Sequence, residues 1–410
     1  MNLPWPVWLL KGRTASITSK HPLVVLPVSA ILACVPFSVF AQHALDFYTG
    51  KALFEKNWIT APASTAASDG LGPYYNARSC QQCHPGGGRG SRDASLVLHI
   101  NDPVYGQQLQ KFAVPGLSLE AEVVIEPLAQ QPNSPPLYRI DLPSAGPMEN
   151  PSFSARVAPA LQTMAILEAI PESAITAMAD ADDKDDDGIS GRVNSVTDSS
   201  GATSIGRFGW KASQTTLEDQ VARALSLDLG IGNPRLPSAW GDCTQAQTDC
   251  LRLPQGNSPQ HDNLEASVIV PELLLTYIRG LPARQGVDLQ EPALQHGKAL
   301  FKQIGCAGCH VDEIPGAEDL LQPYTDLLLH DMGPGLADDL EEAGAAGNEW
   351  RTAPLRGLGS GPGEYLHDGR AHSLQEAISW HDGEAFRARQ HYRQLNDDER
   401  SDLSAFLNSL

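Results

Sequence analysis

A mainly α-helical chain of two related units, the first enlarged by long loops and small β insertions, is the fold the sequence predicts. Three observations carry that expectation. Gly50-Lys51-Ala52-Leu53-Phe54 recurs as Gly297-Lys298-Ala299-Leu300-Phe301. Each copy precedes the same short motif, Cys80-Gln81-Gln82-Cys83-His84 in the first and Cys306-Ala307-Gly308-Cys309-His310 in the second. The 36 Gly and 31 Pro in 410 residues point to long irregular connections rather than an idealised bundle or repeat array. Apolar residues at 41% and charged residues at 19% rule out a disordered chain. The formal charge of −20 speaks against nucleic acid and anionic membrane surfaces, which need a positive face, and suits a basic partner protein.

Residues 1–41 read as a signal peptide. Lys11, Arg13 and Lys20, with no acid among them, precede an uncharged run from Pro22 to Phe40. The run ends at Val39-Phe40-Ala41-Gln42, a small-residue cleavage site. Its length makes a membrane anchor the competing reading, against which Pro22, Pro27 and Pro36 weigh. Cleavage implies a periplasmic protein, with membrane association only if the segment is retained. Loss of those three cations takes the charge from −20 to −23.

Cys-x-x-Cys-His is the attachment signature of c-type haem. Two thiols three residues apart can add to the two vinyl groups of one porphyrin, and the next histidine then places its imidazole on the iron. Cys80, Cys83, Cys306 and Cys309 are therefore expected to hold two covalent haems, with His84 and His310 as proximal ligands. A redox dithiol needs no following histidine. Paired zinc motifs lie about 15–20 residues apart, whereas 223 positions separate Cys83 from Cys306. Cys306 follows Phe301 by five residues, the helix-into-haem layout of a cytochrome c domain, while 26 positions separate Phe54 from Cys80. The expected organisation is a signal peptide (1–41), an enlarged N-terminal haem domain (42–285) and a C-terminal cytochrome c-like haem domain (286–410).

The sixth ligand decides whether an iron only passes electrons or can also bind a small oxidant. In the C-terminal unit Ser373-Leu374-Gln375-Glu376 predicts a capping box. Leu374, Ala377, Ile378 and His381 follow on one helical face, so His381 is the expected distal ligand, with Met332 the alternative. A closing helix is predicted from Asp397 to Leu410. For the first haem, His99 in a strand-like run and His261 in a long loop identify no distal ligand, which is compatible with an open iron.

Two further features stand apart. Cys243 and Cys250 are the cysteines left over once haem and signal peptide are counted, and a disulfide closing their short loop is the economical reading. Asp183, Asp185 and Asp187, followed by Gly188, match the first half of a calcium loop. The twelfth position is Asn194 rather than Glu, so Ca2+ competes there with a solvated acidic turn.

These residues resemble the bacterial di-haem oxidoreductases related to di-haem cytochrome c peroxidases. The resemblance runs through Gly72-Pro73-Tyr74-Tyr75-Asn76-Ala77-Arg78-Ser79-Cys80, Asp187-Gly188-Ile189-Ser190-Gly191-Arg192 and Gly206-Arg207-Phe208-Gly209-Trp210-Lys211. It continues in Leu329-His330-Asp331-Met332-Gly333, Trp350-Arg351-Thr352-Ala353-Pro354-Leu355 and Leu366-His367-Asp368-Gly369-Arg370. Where such peroxidases carry an axial methionine this chain has His381, which implies a lower potential for that haem. The resemblance implies hydrogen peroxide reduction, with the C-terminal haem feeding a reactive N-terminal one and electrons coming from a small donor protein such as a basic cytochrome. It also implies an acid/base group beside the open iron, for which Glu168 is the candidate. Trp210 is read as packing, with electron relay the alternative. A pure electron-transfer cytochrome and an oxidase acting on a partner protein are the competing functions.

Overall fold

Each copy of the repeated pentapeptide sits in a helix that crosses another at close range. In the computed structural model, which describes residues 37–410 except 66, 127–136, 149–151, 199, 286–289 and 339, the first copy ends α1 (Phe37–Glu55). The predicted signal segment lies outside the described residues up to position 36, and α1 runs through Ala41-Gln42. A single turn, α2 (Cys80–Cys83), carries the first Cys pair. An amphipathic helix, α3 (Ile269–Arg279), buries Leu274, Leu275, Tyr277 and Ile278. The second repeat lies in α4 (Pro292–Gln303), which Pro292 starts at a position where its missing N–H costs nothing. Ser373 caps α5 (Leu374–Trp380) by accepting from the Glu376 amide, as expected, and the helix stops one residue before His381. Asn396 and Glu399 form a capping box at the start of α6 (Asp397–Ser409).

The repeat's glycines mark the crossings. A Cβ on Gly50 would lie 2.0 Å from the Leu273 carbonyl oxygen on α3, and one on Gly297 would lie 2.2 Å from the Asp402 carbonyl oxygen on α6. The repeat's phenylalanines pack on the same partners: Phe54 meets Tyr277 at 5.1 Å between ring centroids, and Phe301 meets Phe406 at 5.5 Å. The α1–α3 crossing therefore corresponds to the α4–α6 crossing.

No sheet among the described residues exceeds three strands. The three-stranded one joins β1 (Val97–Asp102), β2 (Gly106–Leu109) and β3 (Ser154–Arg156) in the antiparallel order β2-β1-β3. Strand alternation sends Leu98 and Ile100 into a core shared with Trp210, Trp350 and Trp380. Val97 and His99 face the opposite way, and His99 is in register with Gln108 on one side and Ser154 on the other. Cys243 and Cys250 are bonded, with Cα atoms 6.5 Å apart. Their loop anchors β2, since the Asp242 carboxylate accepts from the Gln107 and Gln108 amides. A ribbon of β4 (Leu329–Asp331) and β5 (Glu349–Arg351) pairs His330 with Trp350.

The architecture is thus helical with small β insertions. Residues His43–Leu410 form one compact unit. The core around Phe54 and Leu167 takes in Ile314, Leu327 and Leu328, so packing crosses the expected 285/286 division. No helix among the described residues is long and apolar enough to cross a membrane.

Candidate haem-binding sites

One helical turn puts Cys80 and Cys83 on the same face of α2, and His84 follows as its C-cap. All three line a cleft, partly open to solvent, whose walls include Met164, Leu167, Phe208 and Leu274. Such a mostly apolar cleft beside two thiols and a histidine fits the donor set and surroundings of a covalently held haem. The His84 Nδ1 donates to the Pro159 carbonyl at 2.8 Å, which leaves Nε2 with a free lone pair. Burial lowers the His84 pKa to about 4, so the ring is neutral and suited to a metal. Burial also pushes the Cys80 and Cys83 thiols up to about 12. A dithiol exchange centre needs the opposite shift.

The cleft's polar wall comes from the three-stranded sheet and one distant loop. Val97, His99, Gln108 and Arg156 all line it, joined by Glu342. Arg156 is 4% exposed; its Nε donates to Ser154 Oγ at 2.9 Å and its Nη1 donates to Glu342. Its Nη2 is buried with no hydrogen-bond partner, an orphaned donor of the kind an anionic or oxygen-bearing group in the cleft would satisfy. Burial, then the Arg156 charge, lowers the His99 pKa to about 3. Glu342 is pushed up by burial but pulled further down by Arg156 and His99, to about 2.

At the second site Gly305, at φ 97°, makes the left-handed turn into Cys306–Gly308. Cys306 and Ala307 pack on the core of Leu300, Phe301, Leu403 and Phe406. The His310 Nδ1 donates to the Tyr324 carbonyl at 3.1 Å, and the His381 Nδ1 donates to the Ala377 carbonyl at 2.8 Å. Burial, and then the neighbouring His381 ring, lowers the His310 pKa to about 4, so the two imidazoles lie within electrostatic reach of each other. Met332 instead packs into the tryptophan-rich core, with its amide bonded to the Asn348 carbonyl.

Beside Cys309 lies a buried cluster. His330 Nδ1 meets Glu384 at 2.6 Å and Nε2 meets Asp326 at 2.9 Å, while Glu384 also accepts from the Ser190 and Asp331 amides. A Cβ on Gly191 would fall 2.5 Å from the His330 ring, which explains the glycine within the Ser190-Gly191-Arg192 stretch.

The structure does not bring Glu168 to the first cleft. Its carboxylate is held by Arg279 through two bonds of 2.7 Å at a partly exposed position, and the cleft wall takes Leu167 instead. His261 does not line that cleft either. Trp210 does: it is buried, and its Nε1 donates to the Val157 carbonyl at 2.9 Å. The carboxylates of Asp183, Asp185 and Asp187 lie within 4.8 Å of one another and accept from amides of their own loop. Asn194 points elsewhere, donating to the Lys211 and Ala212 carbonyls. Sequence reasoning passed over Arg156 and Glu342. Strand alternation could have paired Arg156 with the face of His99, but Glu342, one of four acids between positions 338 and 342, carries no signal that sets it apart.

The family described as "Di-haem oxidoreductase, putative peroxidase" matches residues 35–103 and 149–410. Among solved structures, the diheme peroxidase BthA from Burkholderia thailandensis E264 is 16% identical, with coverage of 89% of this chain and 86% of that one, at a TM-score of 0.42. Hydrazine synthase from Kuenenia stuttgartiensis is 14% identical, covering 97% and 100%, at a TM-score of 0.38. A MauG-like protein associated with microbial copper homeostasis is 17% identical, covering 66% and 94%, at a TM-score of 0.32. No curated protein sequence matches.

Proposed function

Since the chain belongs to the di-haem oxidoreductase family, a haem redox enzyme, we propose that it is an exported c-type di-haem protein that reduces hydrogen peroxide at the first site. The carrying observation is the asymmetry between its two Cys-x-x-Cys-His sites. His84 faces a cleft whose polar wall includes Arg156 with one unpaired donor, whereas His310 lies within electrostatic reach of a second carbonyl-held histidine, His381. Bound haem supplies one-electron chemistry at iron. Cys80 and Cys83 would tether the first porphyrin and His84 would hold its iron, while the apolar wall limits water. Cys306, Cys309 and His310 would do the same for the second, with His381 as a further ligand.

In this reading a small donor protein would supply electrons at the C-terminal site for use at the N-terminal one. The strong negative charge suits a basic donor cytochrome. Trp210, in the wall of the first cleft, also lines a smaller cavity with Pro354 and Tyr365 from the C-terminal region, a position between the two halves of such a path. Periplasmic residence follows from attachment of haem c after export. The Asp183, Asp185 and Asp187 loop takes Ca2+.

Electron paramagnetic resonance of the oxidised and half-reduced holoprotein, with peroxide turnover against a reduced cytochrome, tests the reading. A high-spin first haem in either state, with turnover, supports it. Two low-spin haems throughout, without turnover, would make the protein an electron carrier.

A further inference from the structure

The three histidines assigned to iron share one feature: each gives its Nδ1–H to a backbone carbonyl, of Pro159, Tyr324 or Ala377. Such a second partner orients a ligating imidazole and raises its basicity. His99 differs. It lines the first cleft from β1, yet neither ring nitrogen has a hydrogen-bond partner among the described residues. A half-buried imidazole with both nitrogens uncommitted is built to exchange a proton rather than to hold a metal. In the same wall Arg156 has a buried Nη2 without a partner, and Glu342, also in that wall, accepts from its Nη1. The charged groups within electrostatic reach of His99 are Arg156, Glu342 and Arg223.

We infer that His99 and Arg156 are the catalytic pair of the first cleft, His99 as the acid/base and Arg156 as the cation beside the departing oxygen, with Glu342 as the positioning residue. The inference rests on the peroxide reading above. In the step, His99 takes the proton from one peroxide oxygen and returns it to the other as the O–O bond breaks. Arg156 Nη2 stabilises the negative charge that develops on the leaving oxygen. Two electrons from the reduced donor, by way of the haem pair, and two solvent protons complete the reduction of one hydrogen peroxide to two waters.

The test uses the full-length holoprotein with His99→Ala, the shape-conserving His99→Gln, and Arg156→Leu. The first haem's absorption and spin state are expected to stay as in the unaltered protein, because His99 is not a ligand. The rate of reaction with peroxide is expected to fall about 10²–10⁴-fold in both His99 variants. Raising the pH should recover the His99→Ala rate, since the hydroperoxide anion needs no base. Association of cyanide, which enters as the acid and binds as the anion, should slow in parallel. Unchanged peroxide and cyanide rates, or a low-spin to high-spin change of the first haem in His99→Ala, would overturn the assignment. If the unaltered protein ignores peroxide, the proposed reaction fails, and cyanide association still decides the role of His99. A first haem that binds no cyanide in any variant rejects it too.

Discussion

The two Cys-x-x-Cys-His sites begin from the same helix and end in opposite environments. In the C-terminal site α4 crosses α6 directly, and His381, beyond α5, gives its Nδ1–H to a backbone carbonyl as His310 does. In the N-terminal site α1 crosses α3 through the same glycine contact, but over two hundred residues of chain lie between those helices. That chain supplies a sheet, a disulfide-anchored loop and a polar wall instead of a second carbonyl-held histidine. The difference teaches that one kind of helix crossing can carry two surroundings, set by the chain between the helices and not by the Cys-x-x-Cys-His motif.

The sharpest way to break this comparison is at the irons. His84→Ala should abolish peroxide turnover while leaving the C-terminal haem spectrum intact. His381→Ala should instead convert the C-terminal haem from low to high spin. An unchanged spectrum in His381→Ala would remove the assigned distal ligand.

Next come the buried ion pairs, whose pH responses should run in opposite directions. His330→Leu leaves Asp326 and Glu384 buried without their imidazolium and should cost about 3–5 kcal/mol in urea unfolding of the holoprotein. Burial opposes the His330 charge, but the Asp326 and Glu384 carboxylates bonded to its ring raise its pKa above 6.5. Its contribution is therefore complete below pH 6.5 and is lost as pH rises through the raised value. Glu342 at the first site behaves inversely. With its pKa depressed to about 2, its stabilisation is present above pH 4.5 and is lost as pH falls toward 2. Glu342→Gln should flatten the acid limb of the stability profile, and His330→Leu the alkaline one.

Smaller effects probe the shared crossing. Gly50→Val and Gly297→Val each force a side chain onto a backbone carbonyl, and each should destabilise by about 1–3 kcal/mol in the same unfolding assay. A loss confined to Gly297→Val would show that the first unit no longer depends on its ancestral contact. The smallest expected signal is calcium binding by calorimetry, weakened in Asp185→Asn. No heat from the unaltered protein would leave the loop as a solvated turn.

Local pattern made much of this legible. Attachment residues, the repeat, the Ser373 cap, the closing helix and the strand-like run around His99 are short-range signals, set by spacing of a few residues and by hydrogen bonds within one turn or strand. Glu168 shows where that reasoning stops. A carboxylate at a helix end looks available until Arg279, more than a hundred positions away, takes both its oxygens.

By itself, then, the sequence determined the duplicated motif, the residues that can hold two haems, a helical fold with small β insertions, and the loop that Cys243 and Cys250 close. Only the tertiary structure decided which acids face the first cleft, that Arg156 keeps a free donor there, and that His99 stands without the carbonyl partner its counterparts have. The physical reason is range. Motifs are written in covalent neighbours, whereas burial, charge pairing and unspent hydrogen bonds depend on segments that meet only after the chain has folded.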